Sequence, residues 1–202
     1  MMISVNTHHP IQPKVLYFGY PVILLTTENE DGSTNISPIS SSWALGRYLV
    51  LGLGVGGKAL ENIRQRPECV LNLPDPRLWQ EVEALAPLTG MNPVPAYKVG
   101  FRYVKDKFKA SGLTPEASAH VKPLRIKECP LQIEAVVRDI RLPDYDPAFA
   151  IVEVEAVQTH AHEEVILRDN YINPSAWSPL IYNFRHYFGL GGELGKSFRS
   201  ET

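Results

Sequence analysis

The chain has 202 residues, with 20 Lys plus Arg against 22 Asp plus Glu and a formal net charge of −2. That length supports one domain with a sizeable core, and 44% apolar against 21% charged residues excludes global disorder. The near-neutral balance argues against a nucleic-acid binder with a basic face, and 17 prolines argue against a bundle of long helices.

The first element runs from about Val15 to Thr27, where Pro21 to Thr27 is rich in β-branched residues and reads as a strand. Asp31-Gly32 supplies a tight turn, and Thr34 to Ile39 returns antiparallel. After Ser40 to Gly46, a third, largely buried strand covers Tyr48 to Val55, with Gly52 and Gly54 leaving one face bare for a ligand or another backbone. Lys58 to Gln65 reads as a short helix with Leu60 and Ile63 inward, ended by Pro67. Glu68 to Leu73 is a buried strand, and Asp75-Pro76 looks like the cap and first position of a helix carrying Trp79, Val82 and Ala86 on one stripe. A third helix is expected from about Phe101 to Ser111, with Phe101, Val104 and Phe108 inward and Gly112 as its stop.

In Leu131 to Arg138, and again in Ala150 to Gln158, apolar residues fall at every other place, the period of half-exposed strands. Strands at both ends with helices inserted after the third predict a mainly β fold, an antiparallel barrel decorated by short helices. We expect one domain over 1–202, with an N-terminal arm over about 1–14 and an irregular tail over about 170–202. Cys69 and Cys129 have no close Cys or His partner, so a reducing cytoplasm is expected. The start of the chain shows no secretory signal, and its longest apolar runs are strand-sized, so no membrane partner is expected.

Two clusters carry chemistry. Asn35-Ile36-Ser37-Pro38-Ile39-Ser40-Ser41-Ser42-Trp43 offers short hydroxyls and backbone N–H groups at a strand end. Such groups hold a flat heteroaromatic ring by its edge, or else form a polar β-bend that satisfies its own backbone. Gly52-Leu53-Gly54-Val55-Gly56-Gly57-Lys58 leads into a helix start whose unpaired N–H donors, with Lys58, make a phosphate seat. The spacing matches neither a dinucleotide fingerprint nor a Walker sequence.

The run from Val22 to Ser42, with Val50-Leu51-Gly52-Leu53, Lys58 to Ile63 and Cys69 to Pro74, resembles the flavin reductase-like, FMN-binding split-barrel proteins. Asp106 to Pro115, Glu128 to Leu131, and Pro179-Leu180-Ile181-Tyr182 with Tyr187 are similar to later blocks of that family, in the same order from about residue 20 to 195. The resemblance implies a Greek-key-like split β-barrel homodimer with FMN bound noncovalently at the subunit interface. It implies that Asn35, Ser37, Pro38, Ile39, Ser40 and Ser42 line the ring and ribityl chain. It further implies that Lys58 and the helix start hold the phosphate with Asn62 nearby, and that Asn72 and Leu73 close the pocket. Many relatives carry Ser or Thr directly after the cation; Ala59 removes that hydroxyl here.

Other signals read more simply. His160 and His162 share a strand face, the spacing of two metal ligands, yet no third ligand is identified and a solvated hairpin end is expected. His8-His9 reads as a polar tail or an arm toward a partner subunit. Lys98, Arg102, Lys105, Lys107 and Lys109 read as the wet face of a helix, or as a site for the phosphates of NAD(P)H or free flavin. Trp79 fits a core stripe. Trp43 and Trp177 stay open between ring-capping and interface roles, as do Arg185, His186 and Tyr187 between substrate and interface.

Three functions compete: an FMN oxidoreductase taking hydride from NADH or NADPH, an electron carrier serving a redox protein, and a non-catalytic flavin-binding module. None needs a protein nucleophile or a metal, because flavin carries the redox chemistry itself.

Overall fold

The computed structural model describes residues 7–168 and 170–200. Residues 1–6 of the expected N-terminal arm lie outside the described residues, and 7–14 carry no strand or helix. Strands β1 (Phe18–Pro21) and β2 (Ile23–Glu28) replace the single strand expected over 15–27. They separate at Val22, whose N–H donates to Leu180 O at 2.8 Å, because the two segments join different sheets. β2 and β3 (Thr34–Ile39) pair through the Asp31-Gly32 turn, where Gly32 adopts φ +80°.

β4 (Ser42–Leu45) lies in a stretch to which the sequence assigns no element, and pairs with β5 (Tyr48–Gly54) across Gly46, at φ +62°. α1 (Lys58–Gln65) and β6 (Glu68–Leu73) keep the expected bounds. Asp75 caps a short 3-10 turn, Pro76–Leu78, that runs into α2 (Trp79–Leu85). β7 (Leu88–Thr89) and β8 (Arg102–Tyr103) form a small parallel pair. The expected 101–111 helix shrinks to α3 (Lys107–Ser111), capped by Asp106 and stopped by Gly112 at φ +76°.

β9 (Pro115–Glu116) and β10 (Arg125–Ile126) precede the two long strands β11 (Leu131–Arg141) and β12 (Phe149–Ala161). β13 (Ile166–Arg168) and β14 (Tyr171–Ile172) pair with each other; β15 (Ile181–Asn183) and β16 (His186–Phe188) form a hairpin. The tail expected to be irregular therefore carries strands, and β15 lies between β1 and β16 in a three-stranded sheet.

The main sheet has seven antiparallel strands in the order β3-β2-β6-β11-β12-β5-β4, curled into a split barrel. Register shifts in β11 after Glu134 and Val137 help it curl, since an extra residue on one strand bends the pair. Inside the curl, Ile23, Leu25, Leu51, Leu71, Val152 and Val154 enclose Leu60 and Ile63 of α1. On the opposite face, Leu24 and Ile36 pack beneath Val82 and Leu85 of α2 and Phe108 of α3. β2 is thus buried on both faces, which explains its unbroken apolar run. Among the described residues no helix is long and apolar enough to cross a membrane.

Candidate functional site

A cavity of about 540 Å³ opens where the end of β3, the glycine-rich exit from β5 and the start of α1 converge. Its size lies in the ~300–1,000 Å³ range usual for small-molecule sites. Its far wall comes from Val82, Ala86 and Leu88, with Tyr97, Lys98, Phe101 and Lys107 at one side and Tyr182 and Tyr187 at the other. Three lysines line it and no carboxylate does.

Of the residues singled out from sequence, Ser37, Pro38, Ile39, Ser40 and Lys58 stand in this wall, together with Ala59. Asn35 lies buried beside it; its Nδ2 donates to Ser37 Oγ at 3.1 Å, while Oδ1 has no partner among the described residues. A Cβ on Gly90, another wall residue, would stand 2.7 Å from that Oδ1 and 2.8 Å from Lys58 Cγ, so only glycine keeps this corner open.

The structure brings four expected residues elsewhere. Ser42 pairs with Leu51 in the β4–β5 ladder. Asn62 Nδ2 donates to Thr27 Oγ1 at 3.0 Å and Asn29 Oδ1 at 2.9 Å, pinning α1 to the first hairpin. Asn72 Nδ2 donates to Leu24 O at 2.9 Å and its Oδ1 accepts from Ile126 N at 2.8 Å, tying β6 to β2 and β10. Leu73 packs on the barrel core. Neither asparagine was recognisable as a structural pin from a linear motif, because its partners are distant in the chain.

The cation pattern also departs from the sequence reading. Lys58 Nζ donates to Glu30 Oε1 at 2.7 Å and Glu61 Oε1 at 2.6 Å, so an incoming anion competes with two carboxylates. Burial by itself would lower the Lys58 pKa; the bonds to Glu30 and Glu61 outweigh it and raise it. Lys107, expected on a wet helix face, is instead only 2% exposed. Desolvation and the nearby Lys98 charge lower its pKa to about 8. Burial likewise lowers Lys98, whose ammonium lies 5.5 Å from the Phe101 ring centre. The sequence names Lys107 only as one of a basic run, and nothing in that run signals that it alone is buried against the cavity. Lys105 of the same run is exposed and pairs with Asp31 at 2.5 Å.

Two aromatic groups frame the site. Tyr17 Oη lies 2.9 Å from Ser41 Oγ, and Tyr17 and Tyr182 meet edge to face at 5.4 Å. Tyr187 Oη donates to Glu83 Oε2 at 3.0 Å, and burial followed by that carboxylate raises its pKa. Trp79 is not core but half-exposed beside Tyr187, and Trp43 is exposed on β4. Trp177 keeps its Nε1 buried without a partner among the described residues.

The histidines serve structure. His160 Nε2 lies 2.7 Å from buried Glu134 Oε1, and His162 Nε2 lies 2.9 Å from Lys127 O. Their segment continues β12 and a 3-10 turn rather than forming a solvated hairpin end. No cluster of three potential metal ligands occurs among the described residues.

The donor set fits a phosphorylated heterocycle. Ser37 and Ser40 hydroxyls in the wall suit a ring edge with mixed donors and acceptors, and the orphaned Asn35 carbonyl lies buried behind Gly90. The first turn of α1 has unpaired N–H groups by helix geometry, and Gly57 caps it without a side-chain bond.

Comparison with known proteins identifies the family and the fold. The flavin reductase like domain matches residues 15–191. The Bacillus subtilis (strain 168) protein YdfE is 60% identical over 194 residues, covering 95% of this chain and 94% of that one. The fold is similar to the flavoredoxin of Desulfovibrio vulgaris (Miyazaki F), at 20% identity, TM-score 0.75 and full coverage of both chains. It is also similar to the Pseudomonas fluorescens 2-nitrobenzoate 2-nitroreductase NbaA, at 19% identity and TM-score 0.74, covering 94% of this chain and 88% of that one. With the family domain spanning most of its length, this chain belongs to the flavin reductase like family.

Proposed function

We propose that the chain is an FMN-binding oxidoreductase that accepts hydride from NADH or NADPH and passes electrons to free flavin or a further acceptor. The observation that carries this reading is a cavity bordered by serines, a glycine-opened corner and a helix start, whose only charged wall residues are lysines. In it, Ser37 and Ser40 orient a ring edge, with Asn35 holding Ser37 from behind, while Lys58 and the first N–H groups of α1 hold a phosphate. Bound FMN would supply the hydride and electron chemistry. Tyr182 and Tyr187 limit water access beside the wall, and Lys107 contributes a buried positive charge.

We further propose a homodimer. Trp43 is 60% and Leu45 74% exposed on the edge strand β4, a surface that a second copy would cover. Buried, unpaired Cys69 and Cys129 suit a reducing cytoplasm. The likeness to a flavoredoxin supports a second reading, an electron carrier exchanging with a redox protein.

Purification followed by a visible spectrum, FMN reconstitution and anaerobic addition of NADH or NADPH tests these readings. Flavin absorbance bleached by a nicotinamide nucleotide supports the first. Bleaching by dithionite alone supports the carrier, and a protein that takes up no FMN overturns both.

A further inference from the structure

A second hollow, of about 590 Å³, backs onto the first through the ring of Tyr187. Trp79 and Phe188 border it, each about half exposed, and Arg185 and His186 stand at its rim. Tyr187 lies 6.5 Å from Trp79, centre to centre, and its hydroxyl occupies Glu83, the carboxylate facing the hollow. The Arg185 side chain has no carboxylate partner among the described residues, so a positive charge stands free beside two aromatic faces.

The backbone supports a presenting role for this rim. Asn183 and His186 pair across β15–β16, leaving Phe184 and Arg185 as a two-residue turn. Both have positive φ, +45° and +69°, and they are the only non-glycine residues with positive φ among those described. Such a turn ordinarily takes Asn-Gly, because a Cβ crowds the backbone there. Here two large side chains occupy it, one of them the free cation.

We propose that this hollow binds the adenosine phosphate half of the nicotinamide dinucleotide, with the purine against Trp79 and Phe188 and a phosphate at Arg185. A planar ring and an anion satisfy both parts of the hollow. A ligand with two rings joined by phosphates matches two hollows that share one tyrosine wall. The inference rests on the nicotinamide reading above. Its phosphate is either the 5′-diphosphate or a 2′-phosphate.

The test is calorimetric titration of the FMN-loaded protein with 5′-ADP and with 2′,5′-ADP, in wild type, Arg185→Gly and Trp79→Leu. Glycine suits the turn, so R185G retains its melting temperature and its FMN affinity. Loss of about tenfold in affinity for both probes in R185G assigns Arg185 to the 5′-diphosphate, and a loss confined to 2′,5′-ADP assigns it to the 2′-phosphate. W79L weakens both probes. Absence of binding at millimolar probe, or equal affinity in wild type and R185G, overturns the proposal. Should the protein take up no FMN, the cavity reading fails by itself, and the same titrations on the flavin-free chain still decide the hollow.

Discussion

Lys107 Nζ donates to the main-chain carbonyl of Ile36 at 2.7 Å, joining α3 to the strand whose next residue, Ser37, lines the cavity. No carboxylate in the cavity wall offsets its charge, and Lys98 adds a second positive group nearby. An anionic ligand beside Lys107 therefore relieves an unfavourable charge that the flavin-free protein already carries.

The expected consequence is pH-dependent FMN binding. Burial lowers the Lys107 pKa to about 8, so the charge is present below that pH and lost above it. FMN affinity should fall as pH rises past this value, approaching about tenfold per unit, as proton linkage requires. Lys107→Met should bind FMN about 10- to 100-fold more weakly at pH 7, the usual worth of a charged hydrogen bond. Its affinity should lose this dependence on pH. Fluorescence titration at pH 7 and pH 9 measures both; a wild-type affinity that stays constant removes Lys107 from the cofactor's surroundings.

Glu30 should restrain Lys58 from the phosphate. Its carboxylate accepts from Lys58 Nζ at 2.7 and 3.0 Å, and that bond is the largest cause of its lowered pKa. Because Glu30 is largely exposed, the pair is weak enough for a phosphate to displace. Glu30→Gln should therefore tighten FMN binding by about 2- to 5-fold, the range set by exposed ion pairs, while Lys58→Ala weakens it. Identical FMN affinities in wild type, E30Q and K58A would exclude Lys58 from the phosphate seat.

How far the sequence could be read follows from which interactions are local. α1 and β6 kept their expected bounds because Gly57 and Pro67 punctuate them in the chain itself. The helix expected from Phe101 failed because the apolar spacing of Phe101, Val104 and Phe108 imitates a helix stripe. Distant pairing of Arg102 and Tyr103 with Leu88 and Thr89 holds its first half extended. β15 and β16, at three residues each, are too short to show a period, and β15 forms with β1 brought from the other end of the chain. In the site, Ser37, Ser40 and Lys58 were legible because they adjoin turns; Lys107, Gly90 and the tyrosines converge only through the fold.

Gly90 offers a steric test of the cavity. An added methyl would meet Asn35 Oδ1 at 2.7 Å and Lys58 Cγ at 2.8 Å, closer than ordinary contacts allow. Gly90→Ala should lose FMN binding by at least about tenfold, because the corner fills. It should destabilise the chain by about 1–3 kcal/mol, the usual effect of overpacking. A thermal melt and an FMN titration separate the two effects. A variant with unchanged FMN affinity would show that the ligand leaves this corner empty.

Glu134 should govern acid stability far from the cavity. It is fully buried and accepts from Ala119 N at 2.8 Å and His120 N at 2.6 Å, with His160 Nε2 2.7 Å away. Burial pushes its pKa up, but the main-chain N–H groups of Ala119 and His120, with His160, together hold it below the ordinary carboxylate value. A depressed folded pKa means stability that is present above the unfolded carboxylate's pKa and lost as pH falls through the folded one. Glu134→Ala leaves those donors without their acceptor and should cost about 3–5 kcal/mol at neutral pH, with a smaller acid-dependent loss than wild type. Urea unfolding at pH 7 and pH 4 measures both quantities. Nickel or zinc should not raise the melting temperature of wild type through His160, because no group of three potential ligands stands together among the described residues. A metal-induced rise that disappears in His160→Ala would reverse this assignment and restore the ligand role suggested by the His160–His162 spacing.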